Sequence, residues 1–177
     1  MRIFPARLPD CLILQPQRYQ DNRGFFQETF RAADYAKAGI SEPLVQDNWS
    51  RSVKGVLRGM HFQRQAPQGK LVSVLRGEIY DVAVDIRPGS ASFGQWQGEV
   101  LSEHNGHQLW LPPGFAHGFL VLSDVADVIY KTSSYYQADD EGSFCCFSAE
   151  LNIHWPVTDV IRSAKDAGAP DFSTVLP

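Results

Sequence analysis

Short runs of β-branched, aromatic and other apolar residues, with polar residues set among them, follow one another through most of this chain. Such residues favour β-strands, in which successive side chains point to opposite faces with a period of two. Clusters of glycine, proline, asparagine and aspartate, which suit tight turns, separate the runs at close intervals. The pattern predicts ten strands, over 12–17, 25–30, 44–50, 56–62, 70–75, 78–86, 95–101, 107–111, 116–122 and 125–132.

This arrangement predicts an all-β fold, because many short strands separated by tight turns are typical of a sandwich or a barrel. One helix is predicted over 31–38, where Ala and Lys favour a helix and Gly39 can end it. After Trp155-Pro156 the composition is that of a loop, with room for a short helical turn. No internal repeat or linker divides the 177 residues, so we expect a single domain, 1–177.

Composition and charge argue against two classes of partner, nucleic acids and membranes. The chain is 44% hydrophobic, which is enough for a substantial core, and its net charge of −4 argues against a nucleic acid partner. No run approaches the ~20 apolar residues of a membrane helix, and the N-terminus has no secretory pattern, so we expect a cytoplasmic protein without a membrane partner. The three cysteines show neither a disulfide framework nor a metal-binding spacing, and we expect buried free thiols.

The segment 55–87 places charged residues within predicted strands. It contains His61, Lys70 and Asp81, and the period of two aims each of these side chains at one face of a sheet. A charge that points into a sheet interior is costly unless it is paired. The segment therefore indicates a binding or catalytic site, although a lysine in a strand lies as often on a solvated outer face.

Two histidines occupy positions that are typical of a known barrel. His117 ends a P-x-G-x-x-H sequence, which resembles the second motif of the cupin barrels. Metal-binding cupins combine such a histidine with an H-x-H motif and a glutamate. Here His61-Phe62-Gln63 stands in place of H-x-H. We therefore expect a cupin-like double-stranded β-helix, or jelly roll, with a few short peripheral helices and no metal. The alternative for either histidine alone is a hydrogen-bonded core residue.

Ordered motifs extend along nearly the whole chain. They are D-N-R-G-F-F-Q-E at 21–28, Q-D-N-W-S at 46–50, G-V-L-R-G-M-H-F-Q at 55–63, Q-G-K-L-V at 68–72, D-V-A-V-D-I-R at 81–87, Q-L-W-L-P-P-G-F-A-H-G-F at 108–119, Y-K at 130–131 and S-A-K-D at 163–166. Together they resemble the dTDP-4-dehydrorhamnose 3,5-epimerase family, from about residue 5 to 170. The resemblance is specific because it rests on many motifs in order.

The resemblance implies an isomerase that needs no metal or organic cofactor. Its expected substrate is dTDP-4-dehydro-6-deoxyglucose, inverted at C3 and C5 to dTDP-4-dehydro-L-rhamnose on the way to dTDP-L-rhamnose. Both carbons flank the C4 ketone, which acidifies their protons, and inversion requires a base on one face and an acid on the other. The resemblance also implies a homodimer in which the N-terminal segments are exchanged between subunits.

Four residues match the catalytic positions of the family. His61 matches the base, and an imidazole with a pKa of about 6.5 is largely neutral at pH 7 and suits that role. Asp166 matches the acid that orients it, and Tyr130 matches the proton donor on the opposite face. Lys70 is suited to the enolate oxygen that develops at C4. From spacing alone, Asp166 could be a surface carboxylate and Tyr130 a packing residue.

The resemblance further implies a set of substrate-contacting residues. Arg23 and Arg58 match positions at the diphosphate, and Tyr136 matches the residue stacked on the thymine ring. Arg23 and Glu28 lie in the exchanged segment and would serve the partner's site, although Arg23 could also be an ordinary turn residue. The full set is Arg23, Glu28, Gln46, Asp47, Asn48, Arg58, Asp81, His117, Tyr136, Glu141 and Lys165.

One position departs from the family pattern. Cys146 stands where family members commonly carry a tryptophan, a few residues before Ile153-His154-Trp155-Pro156. The change bears on which sugar is accepted and on whether one or both carbons are inverted. Two alternatives therefore stay open: a 3-epimerase that acts on a related dTDP-4-keto-deoxysugar, and a metal-using or ligand-binding cupin.

Overall fold

The computed structural model of the chain describes residues 1–175. That part of the chain contains thirteen strands: β1 (Arg2–Pro5), β2 (Leu12–Gln15), β3 (Arg18–Asp21), β4 (Gly24–Gln27), β5 (Gln46–Val53), β6 (Leu57–Gln63), β7 (Lys70–Arg76), β8 (Glu78–Asp85), β9 (Trp96–Ser102), β10 (Gln108–Leu111), β11 (Phe115–Val121), β12 (Val125–Thr132) and β13 (Glu141–Ser143). The helices are α1 (Ala32–Lys37), α2 (Ala164–Ala167) and α3 (Phe172–Val175), with a one-turn 3₁₀ helix at Ala138–Asp140. The last two residues of the expected domain 1–177 lie outside the described residues.

The strands form two packed antiparallel sheets and a separate hairpin. One sheet has six strands in the order β1-β2-β10-β7-β12-β5, the other has five in the order β13-β6-β11-β8-β9, and β3 pairs with β4. Apolar side chains from both sheets are buried between them, among them Val72 and Leu109 from the first and Ile79 and Phe119 from the second. This arrangement is a cupin-like jelly roll, so the predicted fold is confirmed.

All ten predicted strands are present, each shifted at its ends by at most a few residues. β1, β3 and β13 lie outside the prediction. β1 and β3 are largely exposed, so no buried face imposes an alternating pattern on their sequences. β13 consists of Glu-Gly-Ser, which has little intrinsic preference for a strand, and it pairs with β6. Tertiary pairing decides its conformation.

The strand register places four chemically active side chains on two walls. In the five-stranded sheet, His61 of β6 lies opposite His117 of β11. In the six-stranded sheet, Lys70 of β7 lies opposite Thr132 of β12, two residues beyond Tyr130. Side chains two residues apart share a face of a sheet, so Lys70 and Tyr130 point from the same side. The two sheets therefore present two functional surfaces to one interior.

The helices are short and peripheral. α1 falls inside the predicted span 31–38, and Gly39 follows it with a φ of +102°, a left-handed conformation that commonly ends a helix. α2 and α3 have four residues each and lie in the region after Trp155 where a helical turn was expected. Within residues 1–175, no helix is long and apolar enough to cross a membrane.

Cys146, at the position that departs from the family pattern, belongs to the core on the outer side of the five-stranded sheet. It packs in a buried cluster with Leu57 and Phe144, and Trp155 donates its Nε1–H to the Cys146 carbonyl at 2.9 Å. Burial raises the pKa of the Cys146 thiol to about 11. Cys11 and Cys146 are buried free thiols, as predicted, whereas Cys145 is partly exposed.

Candidate active site

A cavity of about 340 Å³ opens between the two sheets and is lined by side chains from both. Eight of the predicted site residues line it: Asn48, Arg58, His61, Lys70, His117, Tyr130, Tyr136 and Glu141. They come from six strands and from the segment before β13, so residues that are far apart in sequence meet here. The cavity therefore brings together acidic, basic and polar side chains that could act on one bound substrate.

His61 forms a close pair with Asp166. The Nε2 atom of His61 lies 2.7 Å from Oδ1 of Asp166, which is buried on α2. Burial lowers the pKa of His61 more than the hydrogen bond to Asp166 raises it, so the imidazole is neutral at pH 7. If Nε2–H donates to the carboxylate, Nδ1 is the nitrogen that can accept a proton. The pair therefore has the arrangement of a general base, His61, that is held in place by a carboxylate, Asp166.

Lys70 places a positive charge on the opposite wall. Its side chain is buried on β7, and burial lowers the pKa of its ammonium group to about 8, against the opposing effects of Asp81 and Glu141. The group is therefore largely protonated at neutral pH. A buried cation that faces a cavity stabilises negative charge more strongly than the same cation in water.

Tyr130 lies on the same wall as Lys70. Burial raises the pKa of its phenol, so the hydroxyl keeps its proton at neutral pH. Its ring centroid lies 6.3 Å from that of His117 on the facing sheet. A protonated phenol therefore faces the wall that carries the His61 imidazole, which is the arrangement an opposed acid and base require.

A second histidine and aspartate pair lies beside the first. His117 Nε2 is 2.7 Å from Oδ1 of Asp81, and both side chains are buried. Among residues 1–175, the other carboxylate oxygen of Asp81 is buried without a hydrogen-bond partner. Asp81 thus fixes the ring of His117 at the floor of the cavity, next to His61 in the strand register.

Glu141 organises the rim of the cavity. Its Oε2 accepts a hydrogen bond from the Tyr136 hydroxyl at 2.8 Å and is also paired with the Lys165 ammonium group. Burial raises the pKa of Glu141, but these two hydrogen bonds, together with the charges of Lys165 and His61, hold the pKa below its usual range. Gln46 accepts from the Tyr136 backbone N–H at 3.0 Å and donates to Asn48 at 2.9 Å. The predicted residues at the rim therefore form one network.

Seven predicted residues do not line this cavity. Four of them bond to residues that do, namely Asp81, Asp166, Gln46 and Lys165, whereas the partners of the other three lie elsewhere. Arg23 lies in the turn between β3 and β4, where it pairs with Asp21 at 2.6 Å. Glu28 follows β4 on the exposed surface. Asp47 points to the outer face of β5 and pairs with Lys131 at 2.8 Å. Their assignment to the site stays a prediction.

Six residues that line the cavity were not among the predicted site residues. They are Ser50, Phe62, Gln63, Gln68, Gly118 and Phe119. The period of two contains a signal for three of them, because Ser50, Gln63 and Phe119 each follow a predicted residue by two positions on its own strand. Phe62 and Gly118 lie between cavity-facing positions and carry no such signal.

The histidines do not form a metal-binding set with the acids. Within residues 1–175, no group of three or more His, Cys, Asp or Glu side chains is placed to hold a metal ion. His61 and His117 each pair with one carboxylate instead. The cavity therefore offers acid–base pairs and a lysine.

The fold and the site define a class: a jelly-roll enzyme whose cavity holds acid and base groups on facing sheets. A sequence model of the dTDP-4-dehydrorhamnose 3,5-epimerase family matches residues 5–174. The chain belongs to this family, whose members are isomerases that act on sugars.

Individual relatives are similar over nearly the whole chain. The dTDP-4-dehydrorhamnose 3,5-epimerase of Escherichia coli K12 is 48% identical over 94% of this chain and 91% of its own length. That of Neisseria gonorrhoeae is 48% identical over 94% of this chain, which spans about half (51%) of the Neisseria protein's length. The crystal structure of dTDP-6-deoxy-D-glucose-3,5-epimerase from Legionella pneumophila Philadelphia 1, in complex with dTDP-4-keto-L-rhamnose, is 49% identical with a TM-score of 0.95, covering 99% of this chain and 97% of the other.

Proposed function

We propose that this enzyme inverts C3 and C5 of dTDP-4-dehydro-6-deoxyglucose to give dTDP-4-dehydro-L-rhamnose, within dTDP-L-rhamnose biosynthesis and without a cofactor. The observation that carries the proposal is the placement of His61 and Tyr130 on facing sheets across one cavity. The complex of the Legionella relative with dTDP-4-keto-L-rhamnose supports the choice of sugar.

The reaction begins with proton removal by His61. The protons at C3 and C5 are acidified by the C4 ketone between them, and Nδ1 of the neutral imidazole takes one of them. Asp166 keeps the ring in the required tautomer and stabilises the imidazolium that forms, as in other His-Asp pairs. The electron pair of the broken C–H bond moves into an enolate, whose negative charge develops on the C4 oxygen.

The second half of each inversion takes place from the other wall. The Lys70 ammonium group stabilises the enolate oxygen, because its charge is already in place before the enolate forms. Tyr130 then donates its phenolic proton to the carbon from the face opposite His61, which completes the inversion. The imidazolium releases its proton and the phenolate regains one through solvent, so each step balances. His117, fixed by Asp81, supports the sugar at the floor of the cavity.

The nucleotide would bind at the mouth of the cavity. Arg58 lines the cavity, with its Nε–H bonded to Ser52 at 3.1 Å, and its planar guanidinium can pair two diphosphate oxygens. Tyr136 is exposed at the rim and offers a ring for the thymine to stack on. Lys165 and Glu141 would close the same end around the diphosphate sugar.

The proposal is tested by incubation with dTDP-4-dehydro-6-deoxyglucose in deuterated water, with C3 and C5 followed by NMR. Deuterium at both carbons with inversion is the expected result. If neither carbon exchanges, the proposal is refuted. Exchange at C3 alone would indicate the 3-epimerase that the sequence left open. Stoichiometric iron, manganese or zinc in the purified protein, measured by elemental analysis, would indicate a metal-using cupin.

The pH dependence of kcat should be bell-shaped. His61 must be neutral to accept a proton, so activity falls as the pH drops through its pKa, which lies below 6.5. Lys70 must be protonated to stabilise the enolate, so activity also falls as the pH rises through about 8. Measurement of kcat from about pH 5 to 10 tests both limbs. Lys70→Arg should move the alkaline limb above pH 9, and an alkaline limb that stays near 8 in that variant would exclude Lys70 as its source.

We infer that the enzyme works as a homodimer in which the β3–β4 hairpin of each subunit completes the other subunit's site. The hairpin exposes Tyr19, Phe25 and Phe26, at 63%, 61% and 69% of their surfaces. Three exposed aromatic residues on one small hairpin are unusual unless another surface covers them. The same hairpin carries Arg23 at its turn, outside its own chain's cavity.

Mixing two inactive variants tests this exchange. If Arg23 serves the partner's site, a heterodimer of Arg23→Ala and His61→Ala subunits contains one intact site. Co-refolding the two in equal amounts should therefore restore activity to about a quarter of the wild-type value. The matched control mixes Arg58→Ala with His61→Ala. Both residues lie in their own chain's cavity, so each site of that heterodimer carries one lesion and the mixture should stay inactive. Equal inactivity of both mixtures would contradict the exchange.

We place the enzyme in the cytoplasm. Its proposed substrate is a nucleotide sugar, and its three free cysteines suit a reducing compartment. Fractionation of cells with an antibody against the chain tests this assignment, and recovery from the membrane or secreted fraction would contradict it.

A further inference from the structure

Asp166 lies far along the chain from the strand that carries His61, and its own helix cannot hold it in place. α2 has only four residues, and helices this short are unstable alone. Yet the Asp166 carboxylate is buried, with one oxygen 2.7 Å from the His61 ring. Contacts outside α2 must therefore fix the backbone of Asp166.

The segment that precedes α2 is attached to the start of β6. Ile161 forms a parallel bridge with Val56. The Ile161 N–H donates to the Gly55 carbonyl at 2.8 Å, and the Ile161 carbonyl accepts from the Leu57 N–H at 2.9 Å. β6 begins at Leu57 and carries His61 four residues later. Both members of the pair are thus positioned relative to the same strand.

The next two residues bind Asp166 at its backbone. Ser163 is the N-cap of α2, and its Oγ accepts a hydrogen bond from the Asp166 N–H at 3.1 Å. The Arg162 guanidinium donates to the Asp166 carbonyl at 3.5 Å. The same guanidinium lies 3.9 Å from the sulfur of Cys146, which is buried in the core, and 5.2 Å from the exposed Phe147 ring. The two peptide groups that flank the Asp166 Cα are therefore both held from outside.

We propose that Ser163 and Arg162 are positioning residues for the epimerisation, which hold the Asp166 backbone so that its carboxylate orients the His61 ring. The proposal rests on the assignment of His61 as the base. Within the described residues, neither Ser163 nor Arg162 lines the cavity, so each acts through Asp166 and not on the substrate. Cys146 contributes by its contact with Arg162.

The charges around His61 determine how such a change would be detected. Asp166 on α2, Glu141 on β13 and Lys70 on β7 all act on the His61 ring, and His117 lies opposite it on β11. Burial lowers the pKa of His61, Asp166 and Glu141 raise it, and Lys70 lowers it. A displaced Asp166 carboxylate would weaken both of the effects by which it raises that pKa, the hydrogen bond and the attraction between charges. The pKa of His61 would then fall further, whereas simple loss of folded protein would leave it unchanged.

Ser163→Ala provides the test, with two measurements on the purified enzyme. We expect kcat to fall about tenfold with little change in KM, because the capping bond is lost but the nucleotide site is intact. We also expect the His61 pKa, measured by NMR titration of the labelled ring, to move to lower pH. Ser163→Thr keeps an acceptor oxygen and should restore both values. Ser173→Ala, which removes an exposed hydroxyl on α3 bonded to Glu150, is the matched control and should change neither.

Arg162→Met supplies a second variant that keeps the apolar stem, and we expect a fall in kcat of about threefold. If the His61 pKa and kcat are unchanged in both variants, the positioning role is wrong. A lowered His61 pKa with unchanged kcat would support the positioning of Asp166 and overturn the role of His61 as base. Failure of the positioning role is thus distinguishable from failure of His61 as the base.

Discussion

Replacement of His61 by alanine is expected to abolish solvent deuterium exchange at both C3 and C5 of the sugar, with a loss of rate of about 10³-fold. One base serves both carbons in this account, because each lies next to the same C4 ketone. Burial lowers the pKa of His61, so its imidazole is neutral at pH 7 and can accept a proton there. NMR detection of deuterium incorporation measures the effect directly.

Binding of dTDP to the same variant should be nearly unchanged, because the nucleotide contacts are assigned to Arg58 and Tyr136. Loss of the ring also leaves the buried Asp166 carboxylate without its partner, which costs stability. His61→Asn offers a milder lesion, since its amide can donate to Asp166 but cannot accept a proton. His104→Ala, at an exposed histidine outside the cavity, is the matched control. Wild-type exchange in His61→Asn would remove His61 from the mechanism.

Much of the fold could be predicted because its strands have one buried face. The strands that lie between other strands of the two sheets include β6, β7, β8, β10, β11 and β12, and their apolar residues show the strand pattern in the sequence. β13 shows why the rest could not: three residues, Glu141–Ser143, become a strand only because β6 offers a free edge. No local property of Glu-Gly-Ser contains that information.

The site likewise contains residues that the sequence pattern predicts and residues that it does not. The period of two predicts that His61 and Lys70 each point to one face of a sheet, but spacing alone left a solvated outer face equally open for Lys70, and the structure buries it. The pair of His61 and Asp166 joins residues 105 positions apart, and no local pattern connects them. Only the resemblance to a family assigned Asp166, and the structure shows how it arrives, through the attachment of Ile161 to β6.

Arg23 and Glu28 are predicted site residues that the structure of one chain does not bring to the cavity. Both were assigned to the site through the resemblance, yet the β3–β4 hairpin and the residue after it lie outside the cavity of their own subunit. Their side chains instead pair with near neighbours in sequence. In the proposed homodimer a second copy of the chain would bring these residues to a site, and neither local patterning nor a single chain contains that information.

Tyr130→Phe is expected to separate exchange from inversion. Without the phenol, His61 can still remove a proton and Lys70 can still stabilise the enolate. The enolate then has no donor on the opposite face, so a proton returns from His61 with the original configuration. We expect formation of inverted product to fall by about 10²- to 10³-fold, while deuterium exchange with retention continues within about tenfold of the wild-type rate. The ring of phenylalanine preserves the packing of this half-buried side chain.

If base and acid act from facing sheets, the ratio of exchange to inversion in Tyr130→Phe changes directly with the loss of the acid. Incubation in deuterated water, followed by NMR of the recovered sugar nucleotide, gives both rates in one experiment. We expect deuterium at C3 in recovered starting material of unchanged configuration, with a ratio of exchange to inversion at least tenfold above that of the wild type. Inversion at the wild-type rate, with the ratio unchanged, would contradict this arrangement of base and acid.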